Sequence, residues 1–468
     1  MKKTMILAGL MATVSLHAAV IDQVIVRQQW PWSKDVKVEY MISDVTAPVN
    51  LTVRAYNGAV ELDASRLASA MTGSLYGISE GGVYSFMIDP VAAFGAERIA
   101  LTDFRVELDA VEAPNDIGET LYRIYCLTNG TCEEVTRADL LNGYYGSIVT
   151  NFAEIGEGYR TSLTNVLIWT GVTNNPAYKT THLVMRKIPA ANKVWQIGSP
   201  STEPGRAVKD NEEQKWVKLT QDFYIGVFPV TQAQFANSVS APRTPVFKDE
   251  PDSDYHPMDN LSYSALRGDT SGTGRNGEKI NWPTNSYLHD VRTQSGYASY
   301  CNDLRKKFDG VEFDLPFDPQ WEFACRAGVY DKGLNDGLGL RSGAEESDRL
   351  DALGWYAGNS GGKTHAVGLK RPNAFGLYDM HGNIREVLAN WVGAVSNGSS
   401  GTGASENDPL VDPVGAVQTS GSRTTRGGCY EFIPGYCRSA WRGNTTSYYT
   451  AATNQGVRVV CPVGKTWE

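Results

Sequence analysis

From Thr180 to the C-terminus the sequence offers no sustained hydrophobic period on which a helical bundle or a regular stack of sheets could be built. Two stretches have helical spacing: one after Thr231, with Ala233, Phe235 and Ala236 on one face, and one from Tyr287 to Phe308, where Ala298, Cys301, Leu304 and Arg305 recur. His182-Leu183-Val184-Met185 and Val194-Trp195-Gln196-Ile197-Gly198 read as strands that open the region. The remainder is rich in Gly, Trp and Asn. Such a chain must run in long loops, which hold a shape only if buried tryptophans or bound ions pin them.

The first part of the chain has a different texture. Val24-Ile25-Val26, Val36-Lys37-Val38-Glu39-Tyr40, Leu51 to Tyr56, Val83 to Met87 and Phe104 to Leu108 run or alternate at strand length, separated by turn residues such as Asn57-Gly58 and Gly81-Gly82. This pattern predicts a small β-sandwich of immunoglobulin or fibronectin type over residues 19–113. Nothing in it suggests catalysis; such modules space, dock or bind. Residues 114–179 are rich in Asn, Thr, Gly and Tyr and read as a connecting region, which leaves 180–468 as the second domain. More than one domain is expected for 468 residues in any case.

Lys2 and Lys3, the short apolar run Thr4 to Val14, and small residues at Ala18 and Ala19 have the build of a secretory signal peptide over residues 1–18, cleaved near Ala18. The run is too short to span a bilayer, and no later segment approaches a membrane span. The expected location is secreted or periplasmic. The chain carries 43 Lys and Arg against 52 Asp and Glu without a basic cluster, which disfavours nucleic acid as a partner. Export would permit disulfides among the seven cysteines, and the odd count leaves at least one thiol over. Cys126 and Cys132 bracket a turn-like Leu-Thr-Asn-Gly-Thr and are candidates for a local bridge. No CxxC pair or histidine spacing supports zinc.

Seven short motifs follow one another in the second domain. They are Trp195 to Ser199; Phe223-Tyr224-Ile225-Gly226 with Pro229 to Phe235; His256-Pro257-Met258; Asp314-Leu315-Pro316 with Gln320 to Ala324; Asn373 to Met380 with Gly382-Asn383 and Glu386; Arg426-Gly427-Gly428; and Gly456-Val457-Arg458. In content and order they resemble the formylglycine-generating-enzyme, or sulfatase-modifying-factor, family. The resemblance starts near Thr180 and implies an α+β, C-type-lectin-like fold, low in regular structure and often calcium-stabilised. It does not fix function, because the family includes copper oxidases, iron enzymes of the ergothioneine-synthase type and ligand-display proteins without chemistry. The iron enzymes want a histidine cluster from an N-terminal domain, where this chain has only His17.

Catalytic members carry a pair of cysteines after the Arg-Gly-Gly, thiolates suited to soft Cu⁺. Counted from Gly428, Cys437 holds the later position, Phe432 stands at the earlier one, and Cys429 replaces a serine. Two readings follow: a displaced copper pair of Cys429 and Cys437, or a disulfide or packing thiol in a protein without the chemistry. The resemblance also implies a Ca²⁺ turn at His381, Gly382, Ile384 and Glu386, with Asn359 and Ser360 as a second, shortened calcium loop; the alternative for Glu386 is an ion pair with an arginine. Asn444, Tyr448 and Tyr449 lie in a Tyr-, Ser- and Thr-rich segment near where lectin-fold relatives contact ligands. Gly358-Asn359-Ser360-Gly361-Gly362 matches a nucleophile elbow, with His365 and Asp379 as paper partners, but it lacks the flanking strand and helix. The expected function is non-catalytic binding of a protein or glycan ligand, and the alternative is a copper oxidase acting on sulfatase cysteines.

Overall fold

Alternating burial on the early strands produces two facing sheets. In the computed structural model, residues 19–28, 33–95, 101, 103–150, 167–203, 206, 212–239, 243–267, 299–327, 350–393, 395, 400–414, 422–445 and 450–465 are described. The signal segment expected at 1–18, residues 287–298 of the second helical stretch, and Tyr448 and Tyr449 lie outside them. The chain forms two units, one from 1–119 and 136–145, the other from 120–135 and 146–468.

In the first unit β1 (Val20–Gln28), β2 (Val36–Ser43), β3 (Val49–Asn57), β4 (Val60–Glu61), α1 (Ala64–Ser69), β5 (Met71–Gly73), β6 (Gly82–Ile88), α2 (Pro90–Phe94) and β7 (Phe104–Glu112) follow in order. The sheets are β1-β2-β6-β5 and β4-β3-β7. Val36, Val38, Tyr40 and Ile42 occupy alternate positions of β2, and their buried face meets Leu51 and Ala55 of β3 and Phe86 and Ile88 of β6 in one core. This is the expected sandwich. Asp63 and Asp89 cap α1 and α2 by accepting backbone N–H bonds from their first turns.

The chain then enters the second unit as a hairpin, β8 (Thr120–Cys126) and β9 (Cys132–Thr136), returns to the first as α3 (Arg137–Leu141), and leaves for good after residue 145. Here the structure corrects the connector reading of 114–179. β8 pairs along its length with β12 (His182–Ile188), from Tyr122 opposite Arg186 to Cys126 opposite His182. Leu121, Tyr122 and Ile124 are buried. The same stretch supplies β10 (Ile148–Val149), which pairs with β11 (Ile168–Trp169). The Cys126–Cys132 bridge is also absent, all seven cysteines being free thiols. Cys126 Sγ lies beside the Thr128 hydroxyl at 3.2 Å, whereas Cys132 Sγ lies 3.9 Å from the Glu133 carbonyl.

The rest of the second unit is β13 (Lys193–Ile197), β14 (Lys215–Leu219), β15 (Phe223–Gly226), α4 (Gln232–Ser238), α5 (Tyr263–Arg267), α6 (Tyr300–Lys307), α7 (Asp318–Arg326), β16 (Arg385–Trp391), β17 (Leu410–Val411), β18 (Arg423–Arg426), β19 (Gly443–Asn444), β20 (Gln455–Gly456) and β21 (Val460–Pro462). Its sheets run β21-β15-β12-β8-β9, β13-β14-β17 and β19-β18-β16-β20. The expected helix after Thr231 is α4, started by a reciprocal cap in which Thr231 Oγ1 accepts the Gln234 N–H at 3.1 Å and Gln234 Oε1 accepts the Thr231 N–H at 3.0 Å. Helix α7 is buried along its whole length, Trp321 included, and stands at the centre of the unit. Pro319 opens it, the Gln320 side chain accepts the Phe317 N–H at 2.9 Å, and Ala327 ends it in a left-handed conformation.

Candidate functional site

Strand β18 delivers the chain into Gly427 and Gly428, both with positive φ. A side chain on Gly428 would press on the Cys437 sulfur and the Tyr436 carbonyl, so glycine is what lets the two arms of the following loop close on each other. The loop is tied by Phe432 N–H to Cys429 O at 3.0 Å and by Cys437 N–H to Pro434 O at 2.9 Å. This brings Cys429 and Cys437 into the interior as neighbours. Burial pushes the Cys429 thiol up to about 12. Burial, with the adjacent Cys429 adding to it, raises Cys437 further above the ordinary thiol range. Cys437 packs with Leu350, Leu353 and Tyr356, and Phe432 lies against that cluster.

Phe432 does more than occupy space. Its ring, those of Tyr436 and Trp441, form a triangle with centroids 5.4 to 5.5 Å apart. Arg385 lies over Phe432 at 5.8 Å and is itself held by Asn454 Oδ1 at 2.8 Å and by the Asn444 carbonyl at 3.1 Å. Tyr436 of the triangle is 42% exposed and the neighbouring Ile433 58%, which gives the loop an apolar face at the surface. Of the expected ligand contacts only Asn444 is among the described residues, and it is exposed next to Arg385.

The loop departs from the family's copper pair at one of its two positions. Burial raises both thiols, so a soft cation would have to displace their protons, and Phe432 fills the position from which a second family cysteine would act.

The calcium candidates also have other work. Both oxygens of Glu386 accept Arg458 Nε, at 2.9 and 3.1 Å, and Oε2 accepts Trp321 Nε1 at 2.6 Å. Arg458 Nη2 lies 2.8 Å from Glu386 Oε1, and both side chains are fully buried. The ion pair with an arginine, the alternative that the sequence left open for Glu386, is formed, and a divalent cation would have to share this desolvated carboxylate with a guanidinium. His381 joins two elements instead: Nδ1 is 2.8 Å from the Cys437 carbonyl and Nε2 is 3.6 Å from Cys325 Sγ of α7. Gly382 passes so close to Trp355 backbone that a Cβ there would collide with it, and Ile384 is buried. Asn359 Oδ1 accepts the Tyr356 N–H at 2.9 Å, and Ser360 Oγ donates to the Tyr430 carbonyl at 2.6 Å. The paper triad does not assemble, because His365 Nε2 meets the backbone carbonyl of Ser360 and Asp379 accepts the Gly368 N–H.

Sequence reasoning missed the buried arginines. Arg426 bridges Asp318 and Glu322 of α7, Arg442 bonds Asp318 at 2.6 Å, and Arg326 bonds Glu322 at 2.6 Å. Burial would raise Glu322, but Arg326, Arg426 and Arg442 hold its carboxyl at about 2. Arg438 pairs with Glu203 at 2.8 Å and Glu212 at 2.9 Å. These pairs fix the walls from which the cysteine loop hangs. The one signal for them was the recurrence of Arg in the last motifs.

The cysteine loop lies within a segment shared with a known family. A sulfatase-modifying factor enzyme 1-like domain model matches residues 192–463. The chaperone protein LppX of Paenibacillus barcinonensis is 25% identical over 203 residues, which is 39% of this chain and 67% of that protein. Among solved structures, Treponema denticola variable protein 1 is 22% identical, with 60% of this chain and 95% of that one covered at a TM-score of 0.42. PvdO from Pseudomonas aeruginosa is 19% identical, with 60% and 95% covered at a TM-score of 0.41.

Proposed function

The chain belongs to the sulfatase-modifying factor enzyme 1-like domain family, and from that premise we propose that its family domain is an exported binding module without the copper oxidase chemistry. The observation that carries this reading is the make-up of the cysteine loop: Phe432, packed against the buried Cys437, stands where a second copper ligand of the family would be. The exposed Ile433 and Tyr436, backed by Phe432 and Trp441, supply instead a rigid apolar and aromatic surface for a protein or glycan ligand. Export rests on the Lys2-Lys3 and Thr4 to Val14 pattern.

The test is to add Cu⁺ to reduced protein together with a sulfatase-type cysteine peptide and to follow the peptide by mass spectrometry. An unchanged peptide is expected. Conversion of its cysteine to an aldehyde, abolished in Cys437→Ser, would overturn the binding-module reading and restore the oxidase.

A further inference from the structure

The first unit contains a cleft of about 650 Å³, lined among others by Pro48, Tyr76, Tyr84, Pro114, Ile117 and Tyr144. That is an ordinary size for a ligand site. Its walls are built by local chemistry. Asn142, buried at the end of α3, accepts the Leu75 and Tyr76 N–H groups at 2.9 and 2.8 Å and donates to the Tyr76 carbonyl at 3.0 Å. Thereby the loop between β5 and β6 is stapled to the helix. On the other side Ile78 and Val49 exchange backbone bonds at 2.9 and 3.0 Å. The cleft is therefore preformed, which lowers the ordering cost of filling it.

The polar groups of the lining are largely committed to one another. Asp139 accepts the Thr136 N–H at 2.8 Å and its hydroxyl at 2.6 Å; Tyr84 Oη donates to the Glu80 carbonyl at 3.1 Å; Tyr144 Oη and Ser74 Oγ are 3.1 Å apart. Of the two amides and two carboxylates of the lining, Asn142 and Asp139 are engaged in this way, and the exposed Asn115 and Glu112 face the cleft mouth for a ligand. What else faces outward is ring surface. The lining contains two acids, Glu112 and Asp139, and no Lys, Arg or His. An anionic ligand is thus opposed, and the exposed Glu112 at the end of β7 favours a cation.

We infer that this cleft docks an extended, proline-containing peptide that carries a basic side chain. Pyrrolidine rings on a polyproline II backbone pack against aromatic walls, lose little entropy on binding and need few hydrogen bonds. The tyrosines supply the walls and Glu112 meets the basic residue.

The experiment titrates the full chain into a fluorescein-labelled hexaproline peptide bearing one arginine, its glutamate counterpart, and a labelled neutral oligosaccharide. Saturable binding of the arginine peptide alone is expected. Tyr144→Ala, at a site 55% exposed, should weaken it by about tenfold or more. Glu112→Gln should weaken it by about threefold to tenfold and flatten its salt dependence. Unchanged thermal melting of both variants separates lost contacts from lost fold. Equal binding of the glutamate peptide, preference for the oligosaccharide, no binding of the arginine peptide, or full binding by Tyr144→Ala would each overturn the inference.

Discussion

Asp379 is a carboxylic acid in a place that houses a carboxylate poorly. Burial pushes it up to about 6, against the opposing pull of the Gly368 N–H, Arg458, Asn383 and Lys179. From the ordinary carboxylate range up to about pH 6, the folded protein keeps a proton that the unfolded chain has released, so this residue costs stability as pH rises through that window. Asp379→Asn keeps a carbonyl to accept the Gly368 N–H and suits the positive φ of 57°. The variant is expected to gain on the parent as pH rises, by about 1–3 kcal/mol between pH 4 and 8 in urea unfolding. A stability difference that stays flat over that range would show that Asp379 titrates normally. At this scale the sequence was legible where a motif fixes neighbours along the chain: the Arg426-Gly427-Gly428 run led to the loop that holds Cys429 and Phe432. It was not legible where a partner is remote, since Arg458 lies 72 residues from the Glu386 it neutralises.

Elements show the same division. The strands of the first unit were readable because inward apolar residues alternate with outward polar ones, and α4 because Thr231 and Gln234 cap it. Strand β8 was not, because Arg123 and the tyrosines on either side of it hide the apolar alternation of Leu121-Tyr122-Arg123-Ile124-Tyr125. Buried arginine defeats the pattern altogether, since charge reads as surface. Strand β16 illustrates the cost of removing one such pair. Glu386 lies in register between Arg426 of β18 and Gly456 of β20, with Trp321 of α7 donating to it. Glu386→Ala would leave Arg458 buried and uncompensated where these elements meet. A loss of about 3–5 kcal/mol in chemical denaturation is expected. Melting of the parent protein should not respond to a calcium chelator; a fall that Glu386→Ala abolishes would return the residue to calcium.

Over the whole molecule the chain path matters more than composition. The domain start suggested by sequence, Thr180, cuts off β8 and β9, although β8 is an inner strand of the β21-β15-β12-β8-β9 sheet. A fragment of 180–468 would expose the free edge of β12 and the buried faces of Leu183 and Met185. It should be aggregated or lack a cooperative melting transition, whereas 120–468 should melt cooperatively. Comparable cooperative melting of the two fragments would show that the hairpin is dispensable. The matched family segment begins at residue 192, so β8, β9 and β12 complete its architecture from outside it.

The hairpin excursion also bears on inheritance. Residues 120–135 of the second unit interrupt the coding order of the first, and the Asn142 that staples the loop around Tyr76 is encoded only after that interruption. A recombination joint placed anywhere before residue 120 would transmit a sandwich without its α3, and one placed after residue 145 would strip the partner of β8. A joint on either side of residues 120–145 therefore leaves one of the two units incomplete, so an exchange of either unit has to carry this segment with it.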